Sequence, residues 1–134
     1  MPAPIDGLRH APLTTILPVK DPERARRFYE ETLGLEYRGV SGDGKHLFAP
    51  GGGGAGALAL LESQAAPNEN TALSFEVDDI SAAIAALEAR GVRFEDYDLP
   101  DFKTVDHVCV LGSEKAAWFL DPEGNVLCVH EVIG

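Results

Sequence analysis

The stretch Ile16–Tyr37, ILPVKDPERARRFYEETLGLEY, is similar to a second stretch of the same chain, Ser74–Glu95, SFEVDDISAAIAALEARGVRFE. The positions that match at a constant offset are Val19 and Val77, Asp21 and Asp79, Ala25 and Ala83, and Glu30 and Glu88. A repeat that fills this share of a chain of 134 residues indicates two copies of one strand–helix–strand unit. The repeat therefore predicts the architecture before any other feature does.

Each copy carries the signals of a helix that follows a strand. Asp21 and Asp79 are residue types that accept hydrogen bonds from the free amides at a helix start, and Pro22 suits the first helical position. Gly34 and Gly91 then end the two amphipathic segments. Both copies thus begin with a strand and a capped helix.

The rest of each copy reads as short strands separated by turns. The predicted strands are Pro12–Val19, Leu35–Ser41, Lys45–Ala49, Ala57–Glu62, Ala72–Val77, Val92–Tyr97, Val105–Leu111, Ala116–Leu120 and Val126–Glu131. The coarse order is β-α-β-β-β twice, which is an α+β fold. We predict a single domain over residues 1–134, with module one at about 12–63, a polar linker at about 64–70 and module two at about 71–134.

The composition limits the partners and the compartment. A net charge of −11 with only 11 Lys and Arg residues argues against nucleic acid and against an anionic membrane surface, because both require a basic patch. Cys109 and Cys128 lie in apolar, strand-like runs and are expected to be buried thiols. No signal segment and no apolar run of roughly 18 residues is present, so we expect a cytoplasmic protein.

Three stretches resemble the vicinal oxygen chelate superfamily, which includes glyoxalase I, extradiol dioxygenases, fosfomycin-resistance enzymes and bleomycin-resistance proteins. They are VKDPERARRFYEETLGL (Val19–Leu35), FEVDDISAAIAALEARGV (Phe75–Val92) and WFLDPEGNVLCVHE (Trp118–Glu131). The resemblance covers nearly the whole chain from Leu13 on. It implies two βαβββ modules that form a cupped mixed sheet, a concave face that holds the ligand, and a homodimer.

The resemblance also implies where a divalent metal would be bound, and other residue types occupy those positions here. The family pattern places the ligands at Thr14, Ala72, Cys128 and either Leu60 or Glu62. A first coordination shell for such an ion needs three to four His or carboxylate ligands. We therefore expect no metal ligands and no cofactor, and family members that have lost their ligands in this way tend to be binding proteins.

Alternation along the strands indicates which side chains share the ligand face of the cup. Small side chains on the opening strands leave volume for an organic ligand. Aromatic side chains either form a wall that stacks a flat ligand, together with Tyr97 and Phe102, or pack in the core. The candidate ligand-binding residues are Thr14, Phe48, Ser74, Trp118, Cys128 and His130.

His107 and Asp106 are the candidate catalytic residues. They lie in the stretch YDLPDFKTVDHVCVL, where His107 is predicted either as an acid/base group near the mouth of the cup, paired with Asp106, or as an ordinary surface histidine. The first hypothesis for function is a metal-independent protein that binds a small organic molecule. The alternatives are a metal-dependent lyase, isomerase or dioxygenase using Glu62, His107, Cys128 and His130, and a metal-free enzyme using Asp106 and His107.

Overall fold

The computed structural model describes residues 7–134, which form two four-stranded sheets, one two-stranded sheet and two α-helices. The first module contains β1 (Thr14–Val19), α1 (Pro22–Arg27), β2 (Tyr37–Val40), β3 (His46–Phe48) and β4 (Ala57–Glu62). A π-helical turn, Phe28–Thr32, continues α1, and a short 3₁₀ turn covers Gly51–Gly53. The sheet order is β1-β4-β3-β2, in which β1 is parallel to β4 and the other pairs are antiparallel.

The second module repeats this order and adds a small hairpin. Its elements are β5 (Thr71–Glu76), α2 (Ile80–Ala89), β6 (Asp98–Leu99), β7 (Phe102–Lys103), β8 (Cys109–Leu111), β9 (Glu114–Leu120) and β10 (Val126–Val132). The sheet order is β5-β10-β9-β8, with β5 parallel to β10, and β6 pairs with β7. The α+β fold with two similar βαβββ modules is therefore confirmed.

Local sequence signals explain the helix starts. The side chain of Asp21 accepts a hydrogen bond from the amide of Arg24, and that of Asp79 accepts one from the amide of Ala82, each at 3.1 Å. One predicted strand, Val92–Tyr97, is absent, and Phe94 makes only an isolated bridge to Phe119. The chain turns instead at Pro100 and Asp101 into the β6–β7 hairpin, since proline and aspartate favour a tight turn.

One hydrophobic core is shared by both modules. Leu17 and Val19 of β1 and Leu127 and Val129 of β10 belong to the same cluster of buried side chains. Because side chains alternate along a strand, the opposite face of each sheet points away from this core, and we refer to these two surfaces as the outer faces. No helix within residues 7–134 is long and apolar enough to cross a membrane.

Candidate functional site

The outer face of the second sheet carries several side chains that can form hydrogen bonds or stack on a ligand. Ser74, Cys128 and Trp118 are register partners across β5, β10 and β9. The next row on the same face comprises Glu76, His130 and Ala116. This face corresponds to the cup side that alternation predicts for Ser74, Cys128 and His130.

An aromatic cluster of Tyr97, Phe102 and Trp118 covers one part of this face. The ring centroids of Phe102 and Trp118 are 5.0 Å apart, those of Tyr97 and Phe102 are 5.2 Å apart, and those of Tyr97 and Trp118 are 5.8 Å apart. The β6–β7 hairpin supplies Phe102, and the indole Nε1 of Trp118 donates to Thr71 Oγ1 at 3.1 Å. All three rings are half-buried, so each retains surface for a flat apolar ligand.

A polar row of Ser74, His130 and Glu76 lies next to the aromatic cluster. Ser74 Oγ and His130 Nδ1 are 2.5 Å apart, and His130 Nε2 lies 3.7 Å from a carboxylate oxygen of Glu76. The Ser74 side chain is exposed, and the imidazole retains 21% of its surface. The sequence identified Ser74 and His130 as candidate ligand-binding residues, and alternation along the strand placed Glu76 on the same face without making it a candidate.

Cys128 lies between the aromatic cluster and the polar row but is only 4% exposed. Its thiol donates to the carbonyl oxygen of Val129 at 3.3 Å. Burial raises the pKa of Cys128, and the nearby Ser74 hydroxyl offsets part of that increase. The sulfur is therefore protonated near neutral pH, which disfavours it as a nucleophile.

The outer face of the first sheet is apolar. Leu47 of β3, Ala59 of β4 and Ile16 of β1 form one continuous row of register partners. Thr14 is exposed on the same face, and Leu61 is 41% exposed. Thr14 therefore lies where alternation predicts it, surrounded by residues that supply few polar groups.

The residues present do not fit a divalent metal. Leu60 is 1% exposed and belongs to the core, so it faces away from Thr14, and the outer-face positions of β4 are Ala59 and Leu61. Within residues 7–134 no group of three or more His, Cys, Asp or Glu side chains is arranged to hold a metal ion. The nonstandard set of Glu62, His107, Cys128 and His130 is likewise not brought together.

Phe48 is placed differently from the sequence prediction. The residue is fully buried in the core, with its ring 5.4 Å from that of Tyr37 and 6.0 Å from that of Tyr29 between centroids. Its partner across the sheet is Leu58, which also points into the core. Phe48 therefore does not belong to the surface that meets a ligand.

The predicted pairing of His107 with Asp106 is replaced by two other contacts. His107 Nδ1 lies 2.9 Å from a carboxylate oxygen of Asp96, and Nε2 lies 3.4 Å from one of Glu88 on α2. Asp106 and His107 both have positive φ angles, 52° and 72°, which turn the chain so that the imidazole packs beside the helix. His107 is therefore on the helix side, away from the polar row, and local sequence could not reveal these long-range partners.

Comparisons with known proteins identify the family and the fold. The family model described as Glyoxalase/Bleomycin resistance protein/Dioxygenase superfamily matches residues 10–129. TnmS3, an antibiotic binding protein from Streptomyces sp. CB03234, is 27% identical, with a TM-score of 0.65 over 89% of this chain and 93% of that chain. No curated protein sequence matches this chain.

Two further solved structures resemble the chain. A glyoxalase/bleomycin resistance protein from the same Streptomyces strain is 27% identical, with a TM-score of 0.62 over 89% of this chain and 98% of that chain. A superfamily member from Sphaerobacter thermophilus DSM 20745 is 25% identical, with a TM-score of 0.71 over 92% of this chain and 98% of that chain. With the family model matching most of its length, the chain belongs to the glyoxalase/bleomycin resistance protein/dioxygenase superfamily.

Proposed function

We propose that this protein binds a small organic molecule without a metal, on the outer face of its second sheet. The observation that carries the proposal is the aromatic cluster of Tyr97, Phe102 and Trp118 beside the exposed Ser74 and His130. A site of this kind combines apolar contact area with a few polar groups that orient a ligand. Planar aromatic compounds are the chemical class that such a surface favours.

Two further observations support binding over metal-dependent catalysis. The outer face of the second sheet brings together one His and one carboxylate, His130 and Glu76, which is fewer than the three to four ligands that hold a divalent ion. TnmS3, to which the chain is similar over most of its length, is an antibiotic binding protein. A metal-dependent lyase, isomerase or dioxygenase remains the alternative, to be separated by experiment.

The proposal includes a second copy of the chain and a cytoplasmic location. The apolar outer face of the first sheet exposes 50% of Ile16 and 41% of Leu61, and contiguous apolar surface of this kind typically marks an interaction site. A homodimer would cover it. Cys109 and Cys128 are free and buried, as expected in a reducing compartment.

The test uses Trp118, the one tryptophan of the chain, as an intrinsic reporter. Bicyclic and tricyclic aromatics are titrated while tryptophan fluorescence is recorded, first with a chelator and then with added Mn, Fe, Ni or Zn. We expect saturable quenching with the same dissociation constant under all conditions. One tightly bound metal per chain, or binding that the chelator abolishes, would instead favour the enzymatic alternative.

A pair of variants localises the binding site. Phe102→Ala removes one ring of the aromatic cluster and should weaken binding about three- to tenfold, because an aromatic pair contributes about 0.5–1.5 kcal/mol. Val105→Ala is the matched control, since Val105 is an exposed apolar residue outside the aromatic cluster. Equal affinity for both variants would show that ligands bind elsewhere.

A further inference from the structure

The proton arrangement in the polar row follows from its neighbours. A neutral imidazole has one nitrogen that donates a hydrogen bond and one that accepts. Nε2 of His130 faces the carboxylate of Glu76, which only accepts when ionised, so the ring proton belongs on Nε2. Nδ1 is then the acceptor, and at 2.5 Å it receives the hydroxyl hydrogen of Ser74.

This arrangement leaves the Ser74 oxygen as an acceptor. A serine hydroxyl has one hydrogen and two lone pairs, and its hydrogen is already committed to His130. The neighbouring thiol of Cys128 donates to the carbonyl oxygen of Val129. The exposed Ser74 oxygen therefore has acceptor capacity for a donor that arrives from outside.

The acceptor lies at a defined distance from the aromatic cluster. Ser74 and Trp118 are partners of the same residue, Cys128, on the two strands that flank β10. Neighbouring strands are about 4.8 Å apart, so these two positions are separated by roughly 10 Å on one face. Cys128, the residue between them, has a small side chain, so a ligand that reaches from the rings to Ser74 would pass over it.

We infer that the ligand is a bicyclic or larger aromatic compound bearing a phenolic hydroxyl, which donates a hydrogen bond to Ser74 while the rings pack on the aromatic cluster. This inference rests on the proposed binding function and names its ligand class. The Glu76 carboxylate and the net charge of −11 disfavour an aromatic carboxylate at the same position. An ether of the same shape has no hydrogen to donate.

Three probes of similar size test the inference by isothermal titration: 2-naphthol, 2-methoxynaphthalene and 2-naphthoate. We expect 2-naphthol to bind about three- to tenfold more tightly than 2-methoxynaphthalene, which corresponds to one neutral hydrogen bond, and 2-naphthoate to bind most weakly. Ser74→Ala should remove the preference for 2-naphthol and leave the affinity for 2-methoxynaphthalene unchanged. Ser81→Ala, at an exposed serine on α2, is the matched control.

The outcomes separate the two proposals. Equal binding of 2-naphthol and its methyl ether, or a preference that persists in Ser74→Ala, overturns the phenol inference and leaves the binding function intact. Tightest binding of 2-naphthoate also overturns it, because the polar row would then donate to the ligand. Failure of all three probes to bind overturns the proposed function together with the inference.

Discussion

A buried hydrogen bond joins a tyrosine of module one to an aspartate of module two. Tyr29 is fully buried, and its hydroxyl donates to Asp121 Oδ2 at 2.6 Å. Asp121, 4% exposed, also accepts from the amide of Asn125 at 2.8 Å and from its side-chain nitrogen at 2.9 Å. Burial raises the pKa of Tyr29, and the nearby Asp121 carboxylate adds to the increase, so the phenol stays protonated.

Tyr29→Phe should destabilise the fold by about 1.5–3 kcal/mol, because it removes a hydrogen bond to a charged and buried acceptor. The measurement is the free energy of unfolding in urea. Tyr37→Phe is the matched control, since the Tyr37 hydroxyl contacts His46 Nδ1 at 2.7 Å in a half-buried setting and should cost less. Equal losses for the two variants would argue against a special role of the Asp121 contact.

Gly56 is required by a close backbone approach. Its φ angle is +102°, and a Cβ atom at this position would overlap the carbonyl oxygen of Leu13. We expect Gly56→Ala to destabilise the protein by about 2–4 kcal/mol, through both strain and overlap. Gly44→Ala provides the comparison, because Gly44 has a φ angle of +91° but open space around its Cβ position, and should cost about 1 kcal/mol. Thermal unfolding of both variants would show whether the overlap adds to the backbone strain.

For individual residues, the sequence predicted the sheet face on which a side chain lies better than it predicted which other residues that side chain contacts. Alternation along β5 and β10 put Ser74 and His130 on one surface, and their side chains are in contact. The same reasoning left open whether Phe48 lines the ligand face, because β3 is short and its register depends on pairing with β4. The partners of His107 come from α2 and from Asp96, and no local pattern connects residues that the chain's turns bring together.

At the scale of elements, the start of α1 is bound by a carboxylate from the other module. Glu123 lies in the turn between β9 and β10, and its side chain is 2% exposed. It accepts hydrogen bonds from the amides of Lys20 and Asp21, and from the guanidinium of Arg24. A negative charge at the positive end of a helix is favourable, so this contact fixes α1 to the second module.

Glu123→Gln should lower the free energy of unfolding near neutral pH by about 1.5–3 kcal/mol, because charge-assisted hydrogen bonds become neutral ones. Burial alone raises the pKa of Glu123, but hydrogen bonds from Arg24 and the amides of Lys20 and Asp21 outweigh it, and the pKa is lowered. Because the pKa of Glu123 is lower in the folded state, the contribution of its charge to stability is complete above the unfolded pKa, about 4.3. That contribution is lost as the pH falls through the folded pKa.

The pH dependence gives the sharper measurement. The difference in stability between wild type and Glu123→Gln should shrink as the pH falls below about 4. Glu69→Gln, at an exposed residue of the linker, should match wild type at every pH. If the difference in stability stayed constant on acidification, the loss in Glu123→Gln would come from altered packing and not from the missing negative charge.

The helices could be predicted because the residues that cap them are close in sequence. The β6–β7 hairpin could not be predicted in this way. Asp21 and Asp79 cap the two helices by the interactions that their positions indicate. The stretch after α2 is apolar enough to suggest a strand, but only Phe94 bridges to β9. The β6–β7 hairpin owes its position to contacts of Tyr97 and Phe102 with Trp118, which are tertiary and outweigh the local pattern.

At the scale of the whole molecule, the two outer faces differ in character. The first presents Leu47, Ala59 and Ile16 as one apolar row, and the second presents the aromatic cluster and the polar row. The opposite faces of both sheets contribute to one shared core. The repeat in the sequence predicted two similar modules, but it did not reveal that their outer faces differ in this way.

The apolar outer face predicts an oligomer in which a second copy covers the first sheet. Ile16→Glu places a charge at the β1 end of that row, where burial in an interface would desolvate it at a cost of several kcal/mol. We expect wild type to be a dimer by light scattering coupled to size-exclusion chromatography, and Ile16→Glu to be a folded monomer. Leu8→Glu is the matched control, because Leu8 is an equally apolar residue, 79% exposed, outside both sheets, and should leave the dimer intact.

The same variant tests whether the dimer matters for binding. If the second copy closes over the aromatic cluster, Ile16→Glu should weaken the binding of 2-naphthol even though Ile16 lies on the other sheet of its own chain. If affinity is unchanged in the monomer, the ligand site is complete within one chain. A wild-type protein that is monomeric at every concentration would contradict the dimer, and Ile16 would then be an exposed side chain with no partner to cover it.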